Sequence, residues 1–182
     1  AVGSAAVATA AAAGAEVIAT ASDAAREAVA RAAGAAHVLR RDTPELAEAL
    51  VDLTGGAGVD HIVEVDLGAN WRLDAAALAS NGSIAAYSST SHPRFEIDYY
   101  AFAAKAARLR MVQVYLLEPE ERAAAHAGLR ALLEAGRLPI TIAARFPLER
   151  IAEAHEMQET GRPLGNVVID VAAPDQTKET AR

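Results

Sequence analysis

Two arginines flank a run of small, uncharged residues, Ala19-Thr20-Ala21-Ser22, with Arg26 four residues further on and Arg41 just after the next apolar stretch. In nucleotide-binding α/β folds an acidic residue at the end of the second strand bonds the adenosine ribose hydroxyls. Sites for a 2′-phosphorylated nucleotide replace that acid and add a cation. Here no carboxylate occurs before Asp23. A guanidinium can grip a phosphate through two parallel hydrogen bonds, so Ser22, Arg26 and Arg41 form a candidate 2′-phosphate site. The competing reading makes Arg26 and Arg41 solvated surface residues and Asp23 a helix cap.

A second group lies further along. Residues 66–70 and 88–92 are expected as loops following two strands, on the carboxyl edge where open α/β sheets bind ligands. Gly68 would let the backbone approach a ligand closely, and Ser88 and Ser89 offer hydroxyls. Ordinary turn chemistry accounts for any one of these residues taken alone.

Other chemistries find little support. The histidines His37, His61, His92, His126 and His155 show no metal-ligand spacing, and there is no cysteine for a thiolate zinc site or a disulfide. Tyr99, Tyr100 and Lys105 do not make a Tyr-x-x-x-Lys pair, since Lys105 falls one residue too far from Tyr100 to share its helix face. Neither a Gly-x-Ser-x-Gly elbow nor a Gly-Lys-Ser/Thr phosphate loop is present.

The elements that must carry these residues follow an α/β alternation. Ala1-Val2-Gly3 reads as the end of a glycine-rich turn and 4–13 as a helix. Strands are expected at 15–20 and 36–39 around a helix at 24–33. Gly14 and Gly34 sit where a residue able to adopt positive φ ends each helix. Thr43-Pro44-Glu45 opens a helix to Leu53 with Pro44 at its first position, and 59–65 (VDHIVEV) reads as a central strand. A helix at 70–79, the Asn81-Gly82 turn, a strand at 83–87, a helix at 99–107 and a strand at 109–116 complete this part. A long helix at 118–135 follows. Strand-like runs at 140–144 and 166–171, separated by a helix at 148–160, have no place in the parallel sheet, and 172–182 reads as a disordered tail.

At 182 residues the chain is long enough for one α/β domain and an extra piece. Its net charge of −7 with no basic run argues against nucleic acid as the main partner. No charge-free apolar stretch reaches the roughly 20 residues of a membrane span. These features fit a soluble, cytoplasmic protein.

Taken together, Ala1-Val2-Gly3, the run from Gly14 through Glu16 and Val17 to Thr20, Ala33-Gly34-Ala35, Leu53-Thr54-Gly55-Gly56, Phe146-Pro147-Leu148 and Ala152-Glu153-Ala154-His155-Glu156 resemble the medium-chain dehydrogenase/reductase superfamily. The resemblance is nearest to its zinc-independent quinone oxidoreductase (zeta-crystallin-like) branch. It implies a Rossmann-type doubly wound parallel sheet of about six strands over 1–117. Residues 118–171 would return to a GroES-like substrate domain. A dinucleotide fingerprint needs a strand and two more glycines before Gly3, so the sequence reads as beginning inside its own phosphate loop, with the first strand missing.

The resemblance further implies NADPH as cofactor. Val2, Gly3 and Ser4 would lie at the pyrophosphate and Ser22, Arg26 and Arg41 at the 2′-phosphate. Gly68, the 88–90 loop with Ser88 and Ser89, and Val112 to Val114 with Gln113 would line the nicotinamide half. It implies hydride transfer to a small-molecule quinone or enone, and a homodimer through the strand from Leu109 to Tyr115. Asp66 departs from expectation, because a carboxylate near cofactor phosphates is unhelpful unless it points away. No catalytic acid is identified. An enoyl reductase of polyketide or fatty-acid type, a zinc alcohol dehydrogenase and a non-catalytic dimerising module are the alternatives.

Overall fold

The computed structural model describes residues 2–171, so the expected tail at 172–182 lies outside the described residues. Its first helix, α1 (Val2–Ala12), consists almost entirely of small, helix-favouring residues and ends at Gly14, whose φ is +89°. Val2 and Gly3 therefore lie in the first helical turn with Ser4 rather than in the preceding turn expected for them.

β1 (Ile18–Ala21), α2 (Ala24–Ala32) and β2 (His37–Arg40) follow. The two strands pair in parallel from Ile18↔His37 to Ala21↔Arg40. Asp23 caps α2 by accepting the Arg26 amide at 2.8 Å, satisfying one of the free amides of the first turn. Gly34, at φ +104°, ends the turn after α2, and a Cβ there would meet the Ala11 side chain at 3.0 Å. The glycine thus lets α1 and this turn approach. Ala19, Ala30 and Ala35 form a small core with Val7 and Val38 against them. Alanine removes little area from water, so this layer gains little from burial per residue.

α3 (Leu46–Leu53) starts later than expected. Glu45 takes a left-handed conformation at φ 47°, which puts Pro44 in the turn before the helix instead of at its first position.

A second parallel sheet contains β3 (Val59–Glu64), β4 (Leu78–Ala86) and β5 (Arg108–Met111), in that spatial order. The strands are joined by α4 (Leu67–Ala77) and α5 (Tyr99–Ala103). β4 is the central strand and β3 an edge, contrary to the expectation for 59–65. An apolar run shows that a strand can be buried but not how many neighbours it has. Among the described residues β3 pairs on one side only, and Val63 and Val65 stay exposed.

α4 begins three residues earlier than expected, so Gly68 is helical. Asn81, at φ 60°, and Gly82 lie within β4, where the pairing jumps from Val59↔Leu78 to His61↔Ser83. β5 is short, and Val114–Leu116 forms a 3₁₀ turn in place of the expected continuation of the strand. Among the described residues up to Met111 five strands form parallel sheets of two and three, the arrangement left by a doubly wound 3-2-1-4-5-6 sheet without its first strand. The α/β class with parallel sheets holds.

α6 (Pro119–Glu134) opens with a capping box between Glu118 and Glu121. β6 (Ile142–Pro147) and β7 (Asn166–Asp170) pair in parallel with each other as a separate sheet, with α7 (Ile151–Glu159) packed against both.

The main core is Leu67, Trp71, Leu78, Ile84 and Ala86, with Ile62, Phe95, Phe102 and Ala107 against it. Ile84 is 1% exposed. Ile84→Ala should lower the unfolding free energy by about 2–5 kcal/mol through lost burial plus cavity. Urea denaturation measures it, and a loss well below that range would show that the layer collapses around the gap.

Candidate functional site

Most of the candidate residues fall into two groups, each at the carboxyl ends of a parallel strand pair. The first surrounds Ser22, directly after β1. Asp23 binds Arg26 through both the helix amide and the guanidinium, and its carboxyl is pulled down to about 2, mainly by the amide bond and then by the guanidinium. The other arm of Arg26 donates to the Gly161 carbonyl at 2.7 Å. Asp23 is thus a cap as well as an ion-pair partner, and Arg26 is held rather than freely solvated.

Arg41 is exposed and makes no side-chain hydrogen bond among the described residues. Its neighbour Arg40 was not singled out in the sequence. As the last residue of β2 it sits opposite Ala21, and its Nη2 donates to the Ser22 carbonyl at 2.8 Å. Its Nε is buried without a hydrogen-bond partner among the described residues. Arg40 therefore reaches Ser22, Arg26 is tied to the adjacent Asp23, and the Arg41 amide donates to the Ala21 carbonyl at 2.9 Å, while Asp23 also accepts the Ser22 hydroxyl and Asp42 pairs with Arg40 at 3.6 Å. Parallel register was the missing signal, because only pairing brings position 40 beside position 22.

The second group is built on the start of α4. The Leu67 amide donates to the Ser88 carbonyl at 3.2 Å and the Gly68 amide to Ser89 Oγ at 2.9 Å. Ser89 Oγ in turn donates to the His92 carbonyl at 2.7 Å. The Asp66 carboxylate accepts the Ser91 amide at 3.3 Å and also the Ser91 hydroxyl. The 88–92 loop is latched down on this turn, and Asp66 points into the latch. Gly68 is needed for a different reason than expected. A Cβ there would stand 2.3 Å from the His92 carbonyl oxygen, so the close approach it permits is that of the protein's own loop.

Beneath the latch, Glu64 accepts the Asp66 amide and, at 2.9 Å, the Asn70 side-chain amide. Asp74 lies one turn further along α4, and burial followed by the Glu64 charge pushes its carboxyl up to about 8. This acid pair also went unnoticed in the sequence. The i, i+4 spacing of Asn70 and Asp74 on one helix face was a usable signal.

Gln113 follows β5 and begins the 3₁₀ turn. Val2, Gly3 and Ser4 begin α1, and Gly3 has open space where a Cβ would be. Among the described residues no hydrogen bond joins Val2, Gly3 or the Gln113 side chain to either group, and Ser4 makes an interaction in the structure. Lys105 donates to the Ala76 and Leu78 carbonyls and so serves the end of α4, not a Tyr–Lys pair. Among the described residues no three His, Cys, Asp or Glu side chains converge as a metal site. A groove between α3 and α4, lined by Ala47, Glu48, Val51, Asp52 and Ala76, belongs to neither group.

A profile of the zinc-binding dehydrogenases matches residues 1–129. Solved structures share the fold. An NAD-dependent alcohol dehydrogenase is 26% identical with a TM-score of 0.80, over 93% of this chain and 48% of its own. A mycobacterial quinone oxidoreductase is 26% identical with a TM-score of 0.82, over 91% of this chain and 52% of its own. A mycobacterial protein complexed with NADPH is 26% identical with a TM-score of 0.77, over 90% of this chain and 52% of its own. The chain therefore spans about half the length of these structures. No curated protein matches it.

Gly68→Ala should force the 88–92 loop off α4 while leaving β1 and β2 alone. Hydrogen exchange would then quicken at the Leu67 and Ser91 amides but not at Ala19 or Val38. Unchanged protection at Leu67 and Ser91 would mean that the latch tolerates the added methyl.

Proposed function

The chain belongs to the zinc-binding dehydrogenase family, within the medium-chain dehydrogenase/reductases, and from that premise we propose that it is the nucleotide-binding part of an NADPH-dependent oxidoreductase. The hydride acceptor in this reading is a quinone or an activated carbon–carbon double bond. The observation that carries it is the cationic cluster at the end of β1. Arg40 bonds the Ser22 carbonyl, Arg26 and Arg41 lie close to the same strand end in the chain, and Asp23 is engaged by the α2 amide, the Arg26 guanidinium and the Ser22 hydroxyl. That arrangement suits a 2′-phosphate better than a bare ribose. The buried, unpartnered Nε of Arg40 adds a donor in want of an acceptor.

In this reading Val2, Gly3 and Ser4, at the positive end of α1, hold the pyrophosphate. Ser22 and the three arginines hold the 2′-phosphate. Gly68, Ser88, Ser89 and Gln113 border the nicotinamide, and the latched loop gives that border a fixed shape. The bound nicotinamide supplies the hydride. The chain's residues orient it, and the proton donor belongs to the longer protein.

The sequence has no cysteine, and among the described residues no three His, Cys, Asp or Glu side chains converge that could hold a zinc ion. The quinone acceptor is supported by likeness to a quinone oxidoreductase, and an activated alkene shares the electrophilic conjugated carbon of a quinone. The separate β6–β7 sheet supports assigning 118–171 to a second, GroES-like substrate domain.

Titration with NADPH and with NADH, followed by nucleotide fluorescence, tests the reading. NADPH should bind more tightly, and Arg26→Ala should weaken NADPH by about tenfold or more, as for loss of a charged hydrogen bond, with NADH unaffected. Preference for NADH would favour an NAD-dependent alcohol dehydrogenase like the relative described above. Absence of binding by either would favour a non-catalytic module.

We further propose a homodimer through the β5 edge and the turn after it, where Met111, Val114, Tyr115 and Leu116 are exposed. The variant Tyr115→Glu should then sediment as a monomer at concentrations where the unmodified chain is a dimer. A monomeric unmodified chain would overturn this assembly.

A further inference from the structure

Two carboxyl groups meet in the interior between α4 and β3. Glu64 is 7% exposed and Asp74 is 3% exposed. Glu64 already accepts the Asp66 amide and the Asn70 side chain, and Asp74 is buried on α4, which packs against β3, where the Glu64 charge acts on it. Asp74 Oδ2 is buried with no partner among the described residues. Two adjacent carboxylates cannot both remain charged away from water, whereas one hydrogen between them removes a charge and forms an O–H···O bond. Glu64 takes the N–H donors, so the hydrogen resides on Asp74.

We propose that Asp74 is a positioning residue, a neutral acid whose hydrogen bond to Glu64 holds the 64–70 turn and, through it, the latched 88–92 loop in shape to border the nicotinamide. The last clause rests on the nucleotide reading above; the hydrogen bond and the latch do not.

The elements packed on α4 carry further ionisable groups. They are Glu48 and Asp52 on α3, Asp60 and His61 beside Glu64 on β3, and Tyr99 and Tyr100 on α5. β4 itself has none; Tyr87 follows it, Arg72 lies on α4, Asp66, His92 and Lys105 lie in adjoining turns. Of all these only Glu64 acts electrostatically on Asp74, after burial as the larger cause, and the Glu64 charge also helps raise Tyr87. The Asp74 carboxyl goes from 3.8 to about 8 on folding. Between those values the unfolded chain has released a proton that the folded chain keeps. Stability therefore falls from about pH 4 to about pH 8 and levels off above, where Asp74 ionises in place.

Carboxyl carbon NMR across pH 4–10, with amide exchange at Ser91 and Leu67, tests the pair. Asp74 should titrate near pH 8, and exchange at those amides should rise across that step by about tenfold beyond the ordinary pH dependence. The variant Asp74→Asn, whose amide still donates to Glu64 but cannot ionise, should keep the protection and lose the step. An Asp74 resonance that titrates near pH 4 would overturn the proposal, and so would an identical exchange step in the variant. The wild-type resonance decides the matter even if the variant folds poorly. NADPH titration at pH 7 and pH 9 separates the two readings. Affinity that falls at pH 9 in the wild type and holds in Asp74→Asn supports the positioning role, and affinity indifferent to the opened latch overturns it. A latch that titrates as described in a chain binding neither nucleotide supports the pair and removes the nucleotide reading instead.

Discussion

The carboxyl edge of the larger sheet depends on one buried acceptor, the Glu64 carboxyl. A single oxygen takes the Asp66 amide and the Asn70 side chain, tying the last residue of β3 to the turn and to the first turns of α4. The tie sets where the helix begins. Leu67 and Trp71 then face Leu78 and Ile84 in the main core, and the helix presents its first amides to the 88–92 loop. Hydrogen bonding to a buried charged group contributes more than a neutral bond and costs more when broken. The apolar packing is therefore built around a polar anchor.

The two parallel sheets are held in different ways. Around β1 and β2 the buried side chains are mainly alanines, so apolar burial contributes little per residue and backbone pairing, helix propensity and the Asp23 cap carry more of the load. Around β4 the buried side chains are large, and Trp71 adds a tilted contact with Phe102, ring centres 6.3 Å apart. The arginines sit on the lightly packed side and the latched loop on the heavily packed side.

Family membership and site chemistry bear on different questions. The profile match and the shared fold place the chain among the medium-chain dehydrogenase/reductases. They leave cofactor preference to local residues, since both an NAD-dependent and an NADPH-complexed protein share this fold at similar identity. In the function proposed above, that preference would turn on Arg26, Arg40, Arg41 and Asp23.

Local chemistry was legible in the residues themselves. The α/β alternation, the Asp23 cap, the helix ends at Gly14 and Gly34, and the separateness of the last two strands follow from short-range rules, and the structure agrees. Turn geometry was less so. Glu45 in a left-handed conformation displaces Pro44 from the helix, and the Asn81-Gly82 turn became an irregularity inside β4. What required the tertiary structure was pairing. Register brings Arg40 to Ser22, sheet order makes β3 an edge, and the packing of α4 on β3 brings Glu64 to Asp74. The sequence by itself determined which segments form helices and strands and which residues end them, because caps, glycines and periodicity act over a few residues. Only the tertiary structure decided which side chains meet across elements, because those contacts depend on register and burial that no local pattern encodes.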